Sequence, residues 1–505
     1  MEDLSNSIKE IAKKIGANLE GETRNANFRG YTPSRGYLAF IRPEQPSSGE
    51  YSGLSFVVFP TYNETSDQYT CVVSICIGRG DLGEDEELAQ VPYLRRSYTK
   101  LGMSPDEDGN CLFWIKTSFA DGTSKNNGIL DTLSAKKCKL EKIDSYLTLL
   151  PAAIIVSFTT VDVEEAKKTT DFSNLKHNGY TKLLSWLAQY AKIRGWDHNK
   201  RTVYDKQDAL IKKGINIPSI SSSKIEKEIK ELLKESHYIV LQGASGTGKT
   251  RMAKILQLSN DRKSKRFFTQ FHAETNYSDF VGGIRPILNR SSSEDSSSSG
   301  IGYEYREGIF TEAVKYAIEH KEEDVYLIID EINRANLSSV LGPVFYLFER
   351  PLASNQANSN NQNVIKLESN SGMDIELSQL PDNFYVIGTM NTSDRSLANI
   401  DYALRRRFAW YTLYPINLKG EIKNFYEDWF NKVADLFDKY ATDEELTLQP
   451  GHSYFIAGDD TTMKNRLIYE IMPLMKEYFA NGLMLNAQNE FADFYYEKTG
   501  LLMYR

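Results

Sequence analysis

The chain has 505 residues, enough for two or three domains of ordinary size. With 41% hydrophobic and 25% charged residues it has the composition of a soluble globular protein. Its formal net charge of −8 excludes a globally basic nucleic-acid binder, so any DNA contact must come from a local patch or a partner. The longest apolar stretch, residues 146–158, contains Pro151 and is too short to span a bilayer. The N-terminal helix lacks the pattern of a secretory signal, so we expect a cytoplasmic protein without membrane contact.

Residues 1–200 are predicted to form a mixed α+β N-terminal domain. Thr-, Tyr- and Val-rich runs broken by Gly, Pro and Asp clusters indicate a mixed sheet, and apolar residues at helical spacing predict a helix over 174–194. The predicted strands are 36–41, 54–60, 69–77, 112–116 and 153–158. Without CxxC spacing, the four cysteines are interpreted as reduced thiols: Cys71, Cys76, Cys111 and Cys138.

A Ser-rich junction, 201–223, is predicted to be a linker, and an α/β domain is predicted to follow over 224–416. Apolar or β-branched runs at 238–242, 266–270, 325–330 and 384–389 alternate with helical segments, which is typical of a mainly parallel sheet. Two Ser- and Asn-rich tracts, 291–299 and 353–363, are interpreted as surface insertions. The aromatic-rich block 417–505 predicts a helical lid.

A phosphate-binding motif joins the first of these strands to a helix. Residues 243–250 read GASGTGKT and match G-x-x-x-x-G-K-[ST] in a strand–loop–helix setting, so a chance match is the weaker reading. Glycines let backbone amides converge on phosphates, the lysine bridges phosphate oxygens and the threonine hydroxyl ligates Mg²⁺. The predicted nucleotide-binding residues are Gly243, Ala244, Ser245, Gly246, Thr247, Gly248, Lys249, Thr250 and Arg251.

Two carboxylates end an apolar strand about eighty residues further on. Asp330 is predicted to hold Mg²⁺ together with Thr250, and Glu331 to polarise the attacking water. A solvated acidic turn is the alternative reading of the same residues. The combination with the phosphate motif favours the catalytic one.

The strand over 384–389 leads into MNTSDRS. A polar residue at the tip of a strand beside Asp330 can contact both the γ-phosphate and the water, and Asn391 is the candidate for this sensor. Asn391 to Asp394 also resembles the guanine-reading N-K-x-D motif. Because the lysine is absent, we infer no base specificity from it.

Three consecutive arginines follow: Arg405, Arg406 and Arg407. In ring-forming NTPases an arginine at this place reaches the γ-phosphate of the neighbouring subunit, where such fingers are worth ~10³–10⁵ in rate. A basic helix end that complements the helix dipole is the alternative. Three neighbouring side chains cannot all face one site, so at least one is expected to have the second role.

Several motifs together resemble one family over residues 224–480. MNTSDRSLANIDYALRRRF, DEINRAN, FHAETNYSDFVGGIRP, GHSYF and IMPLMKEYF are similar to the McrB-type AAA+ subunits of methylcytosine-specific restriction systems. The resemblance implies an AAA+ core with a helical lid, places Asn391 and Asp394 in the signature, and makes Arg406 the first candidate for the finger, ahead of Arg405.

The resemblance also implies partners and a substrate. They are GTP with Mg²⁺, a hexameric ring, and a separate McrC-like nuclease, which agrees with the lack of a PD-(D/E)xK constellation in this sequence. The N-terminal domain, faintly similar to the MrcB-like type, would select modified DNA. Residues 29–31 and 93–98 interleave aromatic and basic residues, which suits either nucleic-acid contact or a core with ordinary surface.

Two other functions remain open at this stage: a MoxR-like remodeller that uses ATP on a protein client, and a nucleotide-gated module that binds DNA or recruits an effector without mechanical work. GTP rather than ATP rests on the resemblance alone. His272 and Glu274 are interpreted as loop residues rather than metal ligands, and His452 in GHSYF as structural or as a sensor of lid closure.

Overall fold

A computed structural model gives the fold and describes fourteen ranges of the chain: 2–19, 23–24, 37–44, 53–77, 92–104, 112–115, 152–196, 200–215, 221–258, 262–288, 301–349, 364–368, 374–393 and 405–504. Two compact units divide the chain. One comprises residues 1–219 with 438–440, and the other comprises residues 220–437 with 441–505. Both low-complexity insertions predicted from the sequence lie outside the described residues.

The first unit contains a six-stranded sheet. Its strands are β1 (Thr23–Arg24), β2 (Leu38–Phe40), β3 (Leu54–Asn63), β4 (Gln68–Ile77), β5 (Leu112–Ile115) and β6 (Ala152–Thr159). Their order is β1-β2-β3-β4-β6-β5, and every adjacent pair is antiparallel. The prediction of a mixed sheet is therefore wrong for these strands, although the predicted strand positions agree with them.

Helices cover this sheet: α1 (Glu2–Lys14), α2 (Pro92–Met103), α3 (Thr160–Lys168), α4 (Gly179–Arg194) and α5 (Arg201–Gly214). Most of α4 is buried, and Trp186 and Tyr190 are fully enclosed. Cys71 and Cys76 are buried and not joined in a disulfide, and burial raises the pKa of Cys76 to about 12.

The prediction of a linker over 201–223 is wrong for its first part, which forms helix α5. Residues 201–214 form a regular helix, and Leu210 is fully buried in the core of the first unit. Gln207, also fully buried, donates from Nε2 to the carbonyl oxygens of Ile15 and Trp196 at 2.8 and 3.0 Å. This part of the predicted linker is thus an element of the first unit.

The second unit is built on a five-stranded parallel sheet, as the sequence predicts. Its strands are β7 (Tyr238–Gly243), β8 (Ser264–Gln270), β11 (Asp324–Asp330), β14 (Phe384–Asn391) and β15 (Ala409–Thr412), in the order β15-β7-β14-β11-β8. The central strands are apolar because both faces are covered, which is usual for parallel sheets. Their carboxyl ends lie at one edge, where parallel sheets bind ligands.

Helices and small hairpins complete the α/β part. They are α6 (Ser222–Ser236), α7 (Lys249–Ile255), α8 (Tyr277–Phe280), α9 (Ile309–Glu319), α10 (Leu337–Leu341), the antiparallel pair β9 (Gly282–Leu288) and β10 (Ile301–Glu307), and the pair β12 (Ile365–Leu367) and β13 (Ile375–Leu377). Helix α6 packs an apolar stripe of Ile225, Ile229 and Leu233 against the sheet.

The remainder of the unit is helical, in agreement with the predicted lid over 417–505. It contains α11 (Glu427–Tyr440), α12 (Asp460–Arg466), a π-helical stretch (Leu467–Ile471), α13 (Met472–Ala480) and α14 (Gln488–Thr499). Short 3₁₀ turns at Glu445–Leu448, His452–Phe455 and Leu485–Ala487 lie between them. Among the described residues, no helix has the length and apolarity required to cross a membrane.

Candidate nucleotide site

The phosphate loop, residues 243–250, connects the end of β7 to the start of α7. Gly246 and Gly248 have φ of 79° and 81°, a region that L side chains rarely adopt, so the loop needs glycine at these positions. Strands β14 and β15 flank β7, and Asn391 stands opposite Gly243 in the parallel register. The loop therefore lies at the carboxyl edge of the sheet, between the ends of β15 and β14.

Lys249 is buried beneath this loop. Its Nζ donates to the carbonyl oxygens of Gly243 and Ala244 at 2.9 and 2.7 Å. Burial lowers the pKa of Lys249 to about 8, and the nearby carboxylates of Glu331 and Asp330 oppose this shift. An ammonium group held in this environment gains from an added anion, which is the property required to bind phosphate.

Asp330 is the centre of a hydroxyl cluster. The Thr250 and Thr389 hydroxyls donate to its Oδ1 at 2.7 and 2.6 Å, and Thr389 Oγ1 also accepts from the amide of Glu331 at 3.1 Å. Thr389 was missed by the sequence analysis, although it precedes the predicted sensor by only two residues.

The oxygens of Thr250 and Asp330 fit Mg²⁺, which prefers hard oxygen ligands and usually keeps several water or phosphate ligands. Among the described residues there is no group of three or more His, Cys, Asp or Glu side chains able to hold a metal by itself. This donor set therefore suits a metal that arrives with a nucleotide. His272 and Glu274, which were interpreted as loop residues, lie in a turn closed by the hydrogen bond from the Thr275 amide to the His272 carbonyl.

Glu331 has an unusual backbone. Its φ of 52° and ψ of 48° place it in the left-handed region, which costs a non-glycine residue free energy and is enriched at functional sites. Its Oε2 is buried, lies 3.3 Å from Nε of Arg334 and makes no hydrogen bond within the described residues. A buried carboxylate oxygen with spare acceptor capacity beside the predicted metal site can polarise a water molecule.

The signature segment contacts the phosphate loop through its backbone. The amide of Thr392 donates to the Gly243 carbonyl at 3.0 Å, and its hydroxyl donates to the Thr447 carbonyl of the lid at 2.9 Å. The side-chain oxygen of Asn391 accepts from the Ser393 amide at 3.1 Å. Asp394, the other predicted signature residue, lies outside the described residues.

The three arginines have different environments. Arg407 is 3% exposed, hydrogen-bonds Glu349 and places its guanidinium 3.7 Å from the ring centre of Phe345, so it is a structural residue. Arg405 lies over the ring of Trp410 at 5.3 Å. The side chain of Arg406 is 69% exposed and 3.7 Å from Glu349, which leaves it available to a neighbouring chain.

A cleft opens beside Thr247 and Gly248. It is lined by residues of α6, α7, the segment after β15 and the lid, including Ser222, Arg251 and His452. Arg251, predicted to bind nucleotide, thus lies on this cleft. Burial, reinforced by the charge of Arg251, lowers the pKa of His452 to about 4 and keeps its imidazole neutral.

The aromatic and basic stretches of the first unit lie only partly within the described residues. Residues 29–31 lie outside the described residues. Of residues 93–98, Tyr98 is fully buried against Trp186, and Tyr93 accepts a hydrogen bond from Gln189. Tyr98 belongs to the core and Tyr93 is half-buried, so the second stretch supports the reading as ordinary core and surface.

Parts of the chain are similar to known proteins. Residues 238–408 match the AAA domain family, dynein-related subfamily. The chain is 35% identical over 305 residues to the "Type IV methyl-directed restriction enzyme EcoKMcrB subunit" of Escherichia coli (strain K12), covering 56% of this chain and 61% of that relative. It is 27% identical over 189 residues to the "Type II restriction enzyme BsuMI component YdiS" of Bacillus subtilis (strain 168), covering 34% and 55%. The chain thus spans less than two thirds of the length of either relative.

Proposed function

We propose that this chain, an AAA+ nucleoside triphosphatase of the McrB type, is the GTP-hydrolysing motor of a modification-dependent DNA restriction complex. The complex would be cytoplasmic and would contain a hexameric ring of this chain and a separate McrC-like nuclease. The N-terminal domain would select the modified DNA. The similarity to a methyl-directed restriction subunit supports the proposed biological role, and the hydroxyl cluster around Asp330 supports the proposed nucleotide hydrolysis.

In the proposed reaction each side chain has one task. The phosphate loop and Lys249 bind the β- and γ-phosphates, and Thr250 and Asp330 hold Mg²⁺, which supplies Lewis-acid stabilisation of the developing charge. Glu331 orients the attacking water, and Asn391 reports on the γ-phosphate from the end of β14. Arg406 is the candidate to complete the site of the next subunit.

Two substitutions separate binding from chemistry. Lys249→Ala removes the cation that faces the phosphates, so we expect loss of both nucleotide binding and hydrolysis. Glu331→Gln keeps the shape of the side chain but removes its negative charge, so we expect near-normal binding with turnover reduced at least about a hundredfold. Binding of a fluorescent GTP analogue and release of phosphate measure the two effects. Normal turnover in both variants would contradict the site assignment.

An ATP-dependent remodeller of the MoxR type remains the second candidate, because the match to the dynein-related AAA family does not by itself distinguish remodelling from restriction. Competition between GTP and ATP in the same binding assay separates the two. Preferential GTP hydrolysis that is stimulated by a McrC-like nuclease supports the restriction motor. Tight ATP binding without GTP hydrolysis supports the remodeller. Turnover unaffected by DNA and nuclease would instead indicate a nucleotide-gated binding module.

A further inference from the structure

A short segment of the lid lies directly on the phosphate loop. The amide of Gly451 donates to the Ser245 carbonyl at 2.9 Å, and the amide of Ser453 donates to the Gly246 carbonyl at 3.1 Å. The Tyr454 hydroxyl adds a third hydrogen bond, to Ser245 Oγ at 3.2 Å. Residues 451–454, called here the covering segment, thus hold two consecutive carbonyl groups of the loop.

The backbone of the covering segment approaches the phosphate loop closely enough to require glycine at position 451, and the φ of 79° favours glycine at position 246. A Cβ added to Gly451 would lie 2.0 Å from the carbonyl carbon of Gly246 and 2.4 Å from the Thr247 amide nitrogen. A Cβ added to Gly246 would lie 2.6 Å from Ser453 Oγ. The neighbours of Gly451 are backbone atoms of the phosphate loop, so a Cβ at position 451 cannot be accommodated without moving that loop, whereas the neighbours of Gly246 are side-chain atoms of Ser453 and Tyr454.

The covering segment is also tied to the lid. Arg466 of α12 donates from Nη1 to the Ser453 carbonyl at 2.8 Å, and Phe455, which directly follows the segment, is 1% exposed and packs edge-on against Phe430 of α11. The amide of Tyr426 donates to the Phe455 carbonyl at 2.8 Å. A displacement of the lid helices would therefore be transmitted to the carbonyl groups of Ser245 and Gly246.

We propose that the covering segment is a positioning element for the phosphate loop, through which the position of the lid sets the affinity for the nucleotide phosphates. A glycine-rich loop has many accessible conformations, and phosphate binding needs the one in which its amides converge. Hydrogen bonds that hold the Ser245 and Gly246 carbonyls on the lid side restrict the orientation of the peptide units that bear the next amides. The proposal rests on the proposed nucleotide-binding function of the loop.

A matched pair of glycine substitutions tests the proposal in the full-length chain. Gly451→Ala introduces the clash with the phosphate loop, whereas Gly458→Ala, seven residues further along, adds a methyl group with no atom within 4 Å. We expect Gly451→Ala to weaken binding of mant-GTP and mant-ATP about tenfold or more and to raise KM more than it lowers kcat. Gly458→Ala should leave both dissociation constants within about twofold of the parent protein.

A second pair of variants avoids any large packing change. Tyr454→Phe retains the ring and removes only the hydrogen bond to Ser245, and Ser245→Ala removes the partner. We expect Tyr454→Phe to weaken nucleotide binding about two- to tenfold in the parent protein and to have no further effect in Ser245→Ala. A merely structural role of Tyr454 would lower Tm without this dependence on Ser245.

The outcomes distinguish the two proposals. If the parent chain binds neither nucleotide, the proposed function is wrong and the positioning role falls with it. If the parent chain binds nucleotide and Gly451→Ala binds as tightly as Gly458→Ala, the positioning role is overturned while the proposed function stands. Should circular dichroism show that Gly451→Ala is unfolded, the Tyr454 and Ser245 cycle decides, and additive effects there overturn the positioning role.

Discussion

Lys249 lies in surroundings that disfavour its own charge, and this gives nucleotide binding a predictable pH dependence. In the nucleotide-free protein the pKa of its ammonium group is about 8, below the ordinary value of lysine. Phosphates bind the protonated form of Lys249, so bound nucleotide raises the pKa of Lys249. At pH values between the pKa of the free protein and that of the complex, binding is therefore accompanied by uptake of a proton. Affinity is therefore expected to be full below about pH 8 and to fall up to about tenfold per unit above it.

Titration of a fluorescent GTP analogue between about pH 7 and pH 9.5 measures this effect. Calorimetry in buffers with different ionisation enthalpies should show proton uptake near the upper end of the range and little near the lower end. Stability at the same pH values serves as the control, so that loss of affinity is not confused with unfolding. An affinity that stays constant across the range would contradict the assigned environment of Lys249.

At the level of single residues, the sequence predicts the chemical groups better than their contacts. Asp330, Glu331 and Asn391 follow strands, so their place at the carboxyl edge can be predicted from parallel topology alone. Thr389 could not be assigned in this way. Its contact with Asp330 depends on the register of β14 against β11, in which Gly388 stands opposite Ile329, and apolar patterns do not fix the register of a strand buried on both faces.

At the level of elements, Arg407 lies two residues before β15 and has a structural role. Its guanidinium is enclosed by Phe345 and Glu349, whereas Arg406 is exposed. We expect Arg407→Ala to lower the free energy of unfolding by about 2–3 kcal/mol, because it removes buried packing and a charged hydrogen bond. Arg406→Ala should change it by less than about 0.5 kcal/mol. Urea titration of both variants measures the difference.

Equal destabilisation by the two arginine substitutions would contradict the difference in burial. Arg405→Ala is a useful intermediate, since its guanidinium stacks on the partly exposed Trp410 and should contribute about 0.5–1 kcal/mol. A graded series, with Arg407 largest and Arg406 smallest, is the expected result.

Strands and helices were not equally predictable. Strands β7, β11 and β14 of the second unit contain continuous apolar runs, and the ends predicted for these strands and for β8 differ from the observed ends by two residues or fewer, whereas β15 was not predicted. Helix α5 was included in the predicted linker because the junction ends in a Ser-rich run; a polar residue, Gln207, also occupies one of the core positions of this helix. The buried carbonyl groups that bind Gln207 lie far away in sequence or across a turn, so local patterns cannot reveal them.

The direction of strand pairing in the first unit could likewise not be predicted from local sequence patterns. Each strand of its sheet can be recognised from β-branched and aromatic residues, but direction depends on how the connections run. The four residues between β3 and β4, Glu64 to Asp67, form a tight hairpin that requires antiparallel pairing. Longer connections give no such constraint, which is why the sequence supported only a mixed sheet.

At the scale of the whole molecule, the two units have different proposed roles: target selection for the first and nucleotide hydrolysis for the second. The residues proposed to bind and hydrolyse nucleotide all belong to the second unit, and the family match covers residues 238–408. The first unit has a well-packed core of its own around Trp186, Tyr180 and Phe158. Each proposed role can therefore be tested by substitutions in its own unit.

In the proposed ring, Arg406 of one chain would act on the nucleotide site of its neighbour. Glu331→Gln and Arg406→Ala should each be inactive alone. In a mixture, a Glu331→Gln chain can present its intact Arg406 to the intact Glu331 of an Arg406→Ala chain. With equal amounts and random assembly, about a quarter of the interfaces carry both groups, so we expect about a quarter of parent turnover.

The matched control combines Lys249→Ala with Glu331→Gln. Each chain in that mixture lacks a group on the nucleotide-binding side of every interface it forms, so no complete site arises and turnover should stay at the level of the single variants. Phosphate release from freshly mixed and from denatured, co-refolded samples measures both cases. If the Arg406→Ala and Glu331→Gln mixture also remains inactive after co-refolding, Arg406 does not act across an interface, because recovery requires only that the two groups come from different chains.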